Sequence, residues 1–133
     1  MLSVPPRVSQ ATLGVADVAR ATEFYETLGW RLAPQSVPGL VSHLQTEGGR
    51  LSLVKTDDIS THAGLAPRTA TDFRGVLLGI AVDSPAAVDE ALRAVVQAGA
   101  TLVKAGEATA WGGYLGYFTD PDGHLWSITA GPV

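Results

Sequence analysis

Cysteine is absent from the 133 residues, which excludes disulfides, thiolate metal sites and a cysteine nucleophile, and fits a reducing cytosol. Clustered positive charge is absent too. Nine basic residues face thirteen acidic ones, for a net charge of −4, so a nucleic-acid backbone has no electrostatic footprint here. No stretch approaches the ~18 continuous apolar residues of a membrane span. Met1 to Pro6 carries neither the basic segment nor the apolar run of a leader peptide. A soluble, cytoplasmic chain with no membrane or nucleic-acid partner is therefore expected. What is present, 46% hydrophobic and 17% charged residues, suits one globular domain over residues 1–133 that buries its own core.

Along the chain, Val8–Val15 alternates Ala11, Leu13 and Val15 against Gln10, Thr12 and Gly14, a period of two that predicts a strand. Asp17 stands as an N-cap before Val18, Ala21, Tyr25 and Leu28 at helical spacing, and Gly29 stops the helix. Trp30–Ala33, Val41–Thr46 and Leu51–Lys55 read as three further strands. Asp57–Asp72, broken by Thr, Asp, Gly and Pro67, reads as a linker with a helical turn around Ile59–Gly64. The pattern then restarts: a strand over Phe73–Val82, Ser84-Pro85 opening a helix that Gly99 closes, then strands over Thr101–Ala105, Tyr114–Thr119 and Leu125–Ala130.

The order βαβββ thus occurs twice, over residues 7–56 and 73–131 with 57–72 between. The expected fold class is α+β: two tandem βαβββ modules forming a cup or partial barrel, with helices on the outer faces. A module of this size cannot bury a sheet face alone, so the halves are expected to share a core. The sheet faces away from the helices would line a cavity between modules or meet a second chain.

The last two strands are joined by Asp120-Pro121-Asp122-Gly123, a strong turn signal. Asp120 and Asp122 are explained by that turn and need no catalytic role. With Gly14-Val15-Ala16-Asp17, Glu23-Phe24-Tyr25-Glu26-Thr27-Leu28-Gly29-Trp30 and the closing Asp120-Pro121-Asp122-Gly123-His124-Leu125-Trp126, the chain resembles the vicinal oxygen chelate superfamily. That superfamily contains glyoxalase I, extradiol dioxygenases and bleomycin resistance proteins. The likeness runs from about Val8 to Ala130. It is most specific to small glyoxalase-like proteins carrying Trp111-Gly112-Gly113-Tyr114 ahead of the turn.

The resemblance implies a divalent metal held from four strands. Carried over one at a time, its ligand positions fall on Gln10, Ser52, Leu77 (Leu78 if the register slips by one) and Ser127. Gln10 can still ligate; the other three cannot supply the carboxylates or imidazoles that hard divalent ions need. A family-type metal site and any cofactor are therefore expected to be absent.

The parity of those positions turns Gln10, Thr12, Ser52, Leu77, Gly79, Leu125, Ser127 and Thr129 toward the cavity. Ala11, Leu13, Val76, Leu78, Ile80, Trp126 and Ile128 then pack under the helices. His43 and Gln45 face the cavity if Leu44 faces its helix, and Trp111, Tyr114 and Tyr117 would add an aromatic wall. His43 and Tyr117 are the candidates for moving a proton, with hydrogen bonding at a strand edge the plainer reading of His43. Asp57, Asp58 and His62 read as turn-capping residues, and His124 as solvated.

Three functions fit. The first is a metal-free protein holding a hydrophobic or aromatic small molecule, like the drug-sequestering members of the family, and not an enzyme. The second is a metal-dependent lyase, isomerase or dioxygenase. The third is a metal-free cyclase or isomerase in a biosynthetic pathway. The first is preferred. A homodimer is implied by modules that can close within one chain or across two.

Overall fold

Alternating burial along residues 10–15 produces the first strand of an α+β fold, seen in a computed structural model that describes residues 4–66 and 73–132. The elements in order are β1 (Gln10–Val15), α1 (Val18–Thr27), β2 (Arg31–Leu32), β3 (Val41–Gln45), β4 (Arg50–Lys55), α2 (Thr56–Ala63), β5 (Leu77–Ala81), α3 (Pro85–Gln97), β6 (Thr101–Ala108), β7 (Tyr114–Thr119) and β8 (Leu125–Ala130). The chain divides into two compact units, Met1–Pro67 and Arg68–Val133.

In the first unit the strand order is β1-β4-β3-β2, with β1 parallel to β4 and the other pairs antiparallel. The Asp17 carboxylate accepts from the Arg20 N–H at 3.1 Å, an N-cap worth about 1 kcal/mol. Gly29, at φ 92°, supplies the left-handed residue that turns the chain into β2. The buried stripe of α1, Val18, Ala21, Thr22, Phe24 and Tyr25, meets Leu44, Leu51 and Leu53 of the sheet, all buried. One polar pair lies in that interface: the Thr22 and Ser42 hydroxyls are 2.6 Å apart, and Thr22 also reaches the Val18 carbonyl. A hydroxyl at such depth needs a partner.

The second unit repeats the order as β5-β8-β7-β6, again with one parallel pair, β5 and β8. Ser84 caps α3 through the Ala87 N–H, with Pro85 in the first turn. Val88, Leu92 and Val95 then press on β6, β7 and β8. Phe118 and Trp126, opposite one another in register, stack with parallel rings at 6.1 Å.

Four expectations are corrected. The segment read as linker opens with a full helix: α2 runs directly from β4, with Asp57 and Asp58 in its first turn and Gly64 as a left-handed C-cap. Acidic groups there favour the positive end of the helix dipole. Residues 67–72 of that segment lie outside the described residues. Strand β5 starts at Leu77, not Phe73, because Gly75 takes φ 81° and breaks the extended run. Val76, expected under a helix, is consequently 59% exposed. Finally, β6 extends to Ala108, with register shifts between Leu102 and Lys104 and between Lys104 and Glu107. Such shifts are invisible to a strict period of two.

Candidate functional site

Each sheet packs one face against α1 or α3, and the register fixes which residues share the other, here termed the open face although Ser52, Ser127 and Thr129 on it are buried. In the first unit His43 pairs with Ser52, and Ser52 with Thr12. Because side chains alternate along a strand, Gln10 and Gly14, Arg50 and Val54, and Val41 and Gln45 share their side of the sheet. Arg31 joins them through its pairing with Gln45. In the second unit the corresponding row is Gly79, Ser127 and Tyr117, with Lys104 opposite Tyr117 on the edge strand. Leu77, Leu125, Thr129, Leu115 and Thr119 surround it.

His43 is held from two sides. Its Nδ1 lies 2.6 Å from Ser52 Oγ. The Ser36 hydroxyl accepts from its backbone N–H at 2.9 Å and donates to its carbonyl at 3.3 Å. The first bond orients the ring and the other two fix the backbone beneath it. Ser52 is 2% exposed and uses its hydroxyl on that ring, whereas Ser127 in the equivalent place is 6% exposed and sits beside Tyr117, half-buried. The Gln45 amide donates to the Leu32 carbonyl at 3.3 Å.

The aromatic wall expected from Trp111, Tyr114 and Tyr117 does not form on one face. Tyr114 and Tyr117 are three residues apart on one strand, so they point to opposite sides. Tyr114 lies on the α3 side, its hydroxyl donating to Asp89 Oδ1 at 2.8 Å. That bond to a carboxylate, with burial and the nearby charge adding to it, raises the Tyr114 pKa above its ordinary value. Trp111 is 57% exposed in the turn before β7 and donates through Nε1 to the Pro132 carbonyl at 3.1 Å. Of the three, Tyr117 alone shares a face with Ser127.

The family's metal positions hold an exposed amide (Gln10), a hydroxyl already bonded to an imidazole (Ser52), an exposed alkyl group (Leu77) and a second hydroxyl (Ser127). This set does not fit a divalent ion, and among the described residues no three His, Cys, Asp or Glu side chains gather around a common point. Asp120 does the turn work read from its sequence: it is 3% exposed, and its carboxylate accepts from the Asp122 and His124 N–H groups at 3.0 and 2.9 Å. Arg74 donates to the Asp122 carbonyl at 2.9 Å and lies 3.4 Å from the His124 ring, so His124 is not simply solvated. Arg31 and Arg50 share the side of Gln45 and Ser52 but were not among the expected residues: Arg50 precedes the strand expected over Leu51–Lys55, and the side Arg31 takes follows from its pairing with Gln45.

Two βαβββ units of one strand order, each with a helix-covered face and an open face set with small polar side chains, define a paired-module α+β protein. The chain belongs to the Glyoxalase/Bleomycin resistance protein/Dioxygenase superfamily, whose sequence pattern matches residues 7–128. It is 30% identical over 130 residues to an uncharacterized protein of Mycobacterium bovis, a match spanning 96% of this chain and 84% of that one. An uncharacterized protein of Mycobacterium tuberculosis H37Rv matches at the same identity, over 96% of this chain and 75% of its own length. Among solved structures the chain is similar to a glyoxalase-related enzyme from Fulvimarina pelagi, with TM-score 0.83, 29% identity and coverage of 96% and 90%. A glyoxalase/bleomycin resistance protein/dioxygenase family enzyme from Burkholderia phytofirmans gives TM-score 0.82 at 24% identity, covering 92% of this chain and 96% of that one. The second likeness is one of fold alone. Among the described residues no helix is long and apolar enough to cross a membrane.

Proposed function

We propose that this chain is a small-molecule-binding protein that works without a divalent metal, holding a hydrophobic or aromatic ligand against the open faces of its sheets in the manner of a sequestering, resistance-type protein. The observation that carries the reading is the donor set. Gln10, Ser52, Leu77 and Ser127 replace charged ligands with neutral groups, and a face without a bound ion or a carboxylate is cheaper to cover with an apolar ligand. Thr12, Gln45, Ser52, Ser127 and Tyr117 then act as polar handles around it. Absence of cysteine supports a cytoplasmic location. Exposed Phe73, Val76 and Leu77 support a homodimer, which sedimentation velocity tests: a single monomeric species removes it.

A thermal-shift screen of aromatic natural products and antibiotics, run in chelator, tests the main reading, because a ligand that binds only the folded chain raises the midpoint by mass action. Hits whose effect survives chelator are expected. Hits that appear only after a divalent ion is added would instead support a metal-dependent lyase, isomerase or dioxygenase.

The 2.6 Å contact between His43 and Ser52 favours a second reading, a metal-free catalyst such as a cyclase or isomerase in which His43 moves a proton. It requires turnover that His43→Ala abolishes while ligand affinity is kept. Loss of affinity and turnover together points back to binding alone.

A further inference from the structure

We infer that the ligand of the first unit's open face carries an anionic head, a carboxylate or another oxyanion, on an apolar body; this rests on the binding function proposed above and names its chemical class. The face is graded. At one end lies a row formed by Gln10 opposite Arg50 and Gln45 opposite Arg31. The middle row is Thr12, Ser52 and His43, and the next is Gly14, Val54 and Val41. Charge gives way to hydroxyl and imidazole, and then to alkyl, across two steps of the pleat.

Neither guanidinium is spent on another of the described residues. Among the described residues Arg31 and Arg50 have no ion-pair partner, and Glu47 in the intervening turn pairs with neither. No Asp or Glu occurs at any open-face position of β1 to β4. The second unit differs: there Lys104 is neutralised by Glu107 at 2.6 Å, which raises the lysine's pKa. An uncompensated basic face is notable on a chain of net charge −4. Arg31 and Arg50 stand two strands apart, about 10 Å between backbones at the usual strand spacing. Long guanidinium side chains reach across that gap to grip one oxyanion from both sides, and planar forks match a carboxylate's geometry. The Gln10 and Gln45 amides supply further hydrogen-bonding groups, while Val41 and Val54 receive the apolar body.

The test is an amide-resolved NMR titration of the full chain with 2-naphthoate, 2-naphthyl phosphate and neutral 2-naphthamide, each to millimolar concentration. The expected result is that an anionic probe shifts the signals of β1, β3 and β4 and binds roughly ten-fold or more tightly than the amide. The Arg31→Gln/Arg50→Gln double variant should erase that preference and leave amide binding in place, and Arg20→Gln, at an exposed position of α1, should change neither. Both arginines are exposed, and each single variant should lose part of the preference if the double variant folds poorly. A stronger response to the phosphate identifies a phosphoryl head, and a stronger response to naphthoate a carboxyl head. Equal affinity for acid and amide overturns the anionic head while small-molecule binding stands. A preference that survives the double variant, or no shift on this face with any probe, also overturns it, and the binding function itself is then decided by the library screen.

Discussion

At the scale of single residues, hydrogen-bond partners decide which polar groups are structural. Thr22 with Ser42 and Asp120 with two turn amides are satisfied inside the protein. Tyr114 belongs with them, since the Asp89 carboxylate accepts a hydrogen bond from its hydroxyl. Its pKa is raised in the folded chain, so the protonated phenol is the stabilised form. Its contribution to stability is fully present below the unfolded tyrosine value of about 10 and fades as pH rises through the higher folded value. Site-resolved NMR titration of the Tyr114 ring should therefore give a midpoint above the ordinary one, and Asp89→Asn should bring it down. A midpoint that does not move when the carboxylate is removed would show that the Asp89 bond is not the cause.

At the scale of elements, strands and helices with strong periodicity were legible from the sequence, down to the Asp17 and Ser84 caps. Three features were not, each for a physical reason. The start of β5 is set by one glycine at positive φ, the length of β6 by shifts in register, and the α2 helix by residues of modest helix propensity that the end of β4 leads into directly. Tyr114 shows a different failure. Its place in an aromatic cluster outweighed its odd spacing from Tyr117, and spacing wins in a strand. The same two-faced geometry makes glycine substitutions diagnostic in the second unit. A Cβ on Gly116 would meet Leu92 Cδ1 at 2.5 Å and the Lys104 carbonyl at 2.8 Å, beneath α3. One on Gly79 would meet only Ser127 Oγ, at 3.3 Å, on the open side. Gly116→Ala should cost about 1–3 kcal/mol in urea unfolding, the usual range for overpacking, while Gly79→Ala should stay within about 1 kcal/mol of the parent because it also restricts the unfolded chain. The reverse order would mean the faces of this sheet have been exchanged.

At the scale of the whole molecule, the repeat explains why the fold was easier to read than the site. Strand order is the same in both units, and the helix-facing positions of each carry the buried apolar residues that drive folding, so pattern alone reveals them. Positions on the other face carry no such pattern, and there the units diverge: Thr12, Ser52 and His43 in one, Gly79, Ser127 and Tyr117 in the other. Leu13, Val15, Phe24, Tyr25, Leu44 and Leu53 in the first unit and Val88, Leu92, Phe118, Trp126 and Ile128 in the second are all buried. Apolar burial of this kind stabilises each unit, and the metal-free function proposed above adds no ion to it. A metal bound specifically to the folded chain would add RT ln(1 + [M]/Kd), about 2.7 kcal/mol at a hundred-fold excess over Kd, which several degrees of midpoint shift would report. Thermal unfolding should therefore be unchanged by dialysis against chelator and by added Mn²⁺, Ni²⁺ or Zn²⁺. A midpoint that rises with one of these ions and saturates near one equivalent would show that Gln10 and the side chains around it form a donor set after all, and the metal-free function would have to be given up.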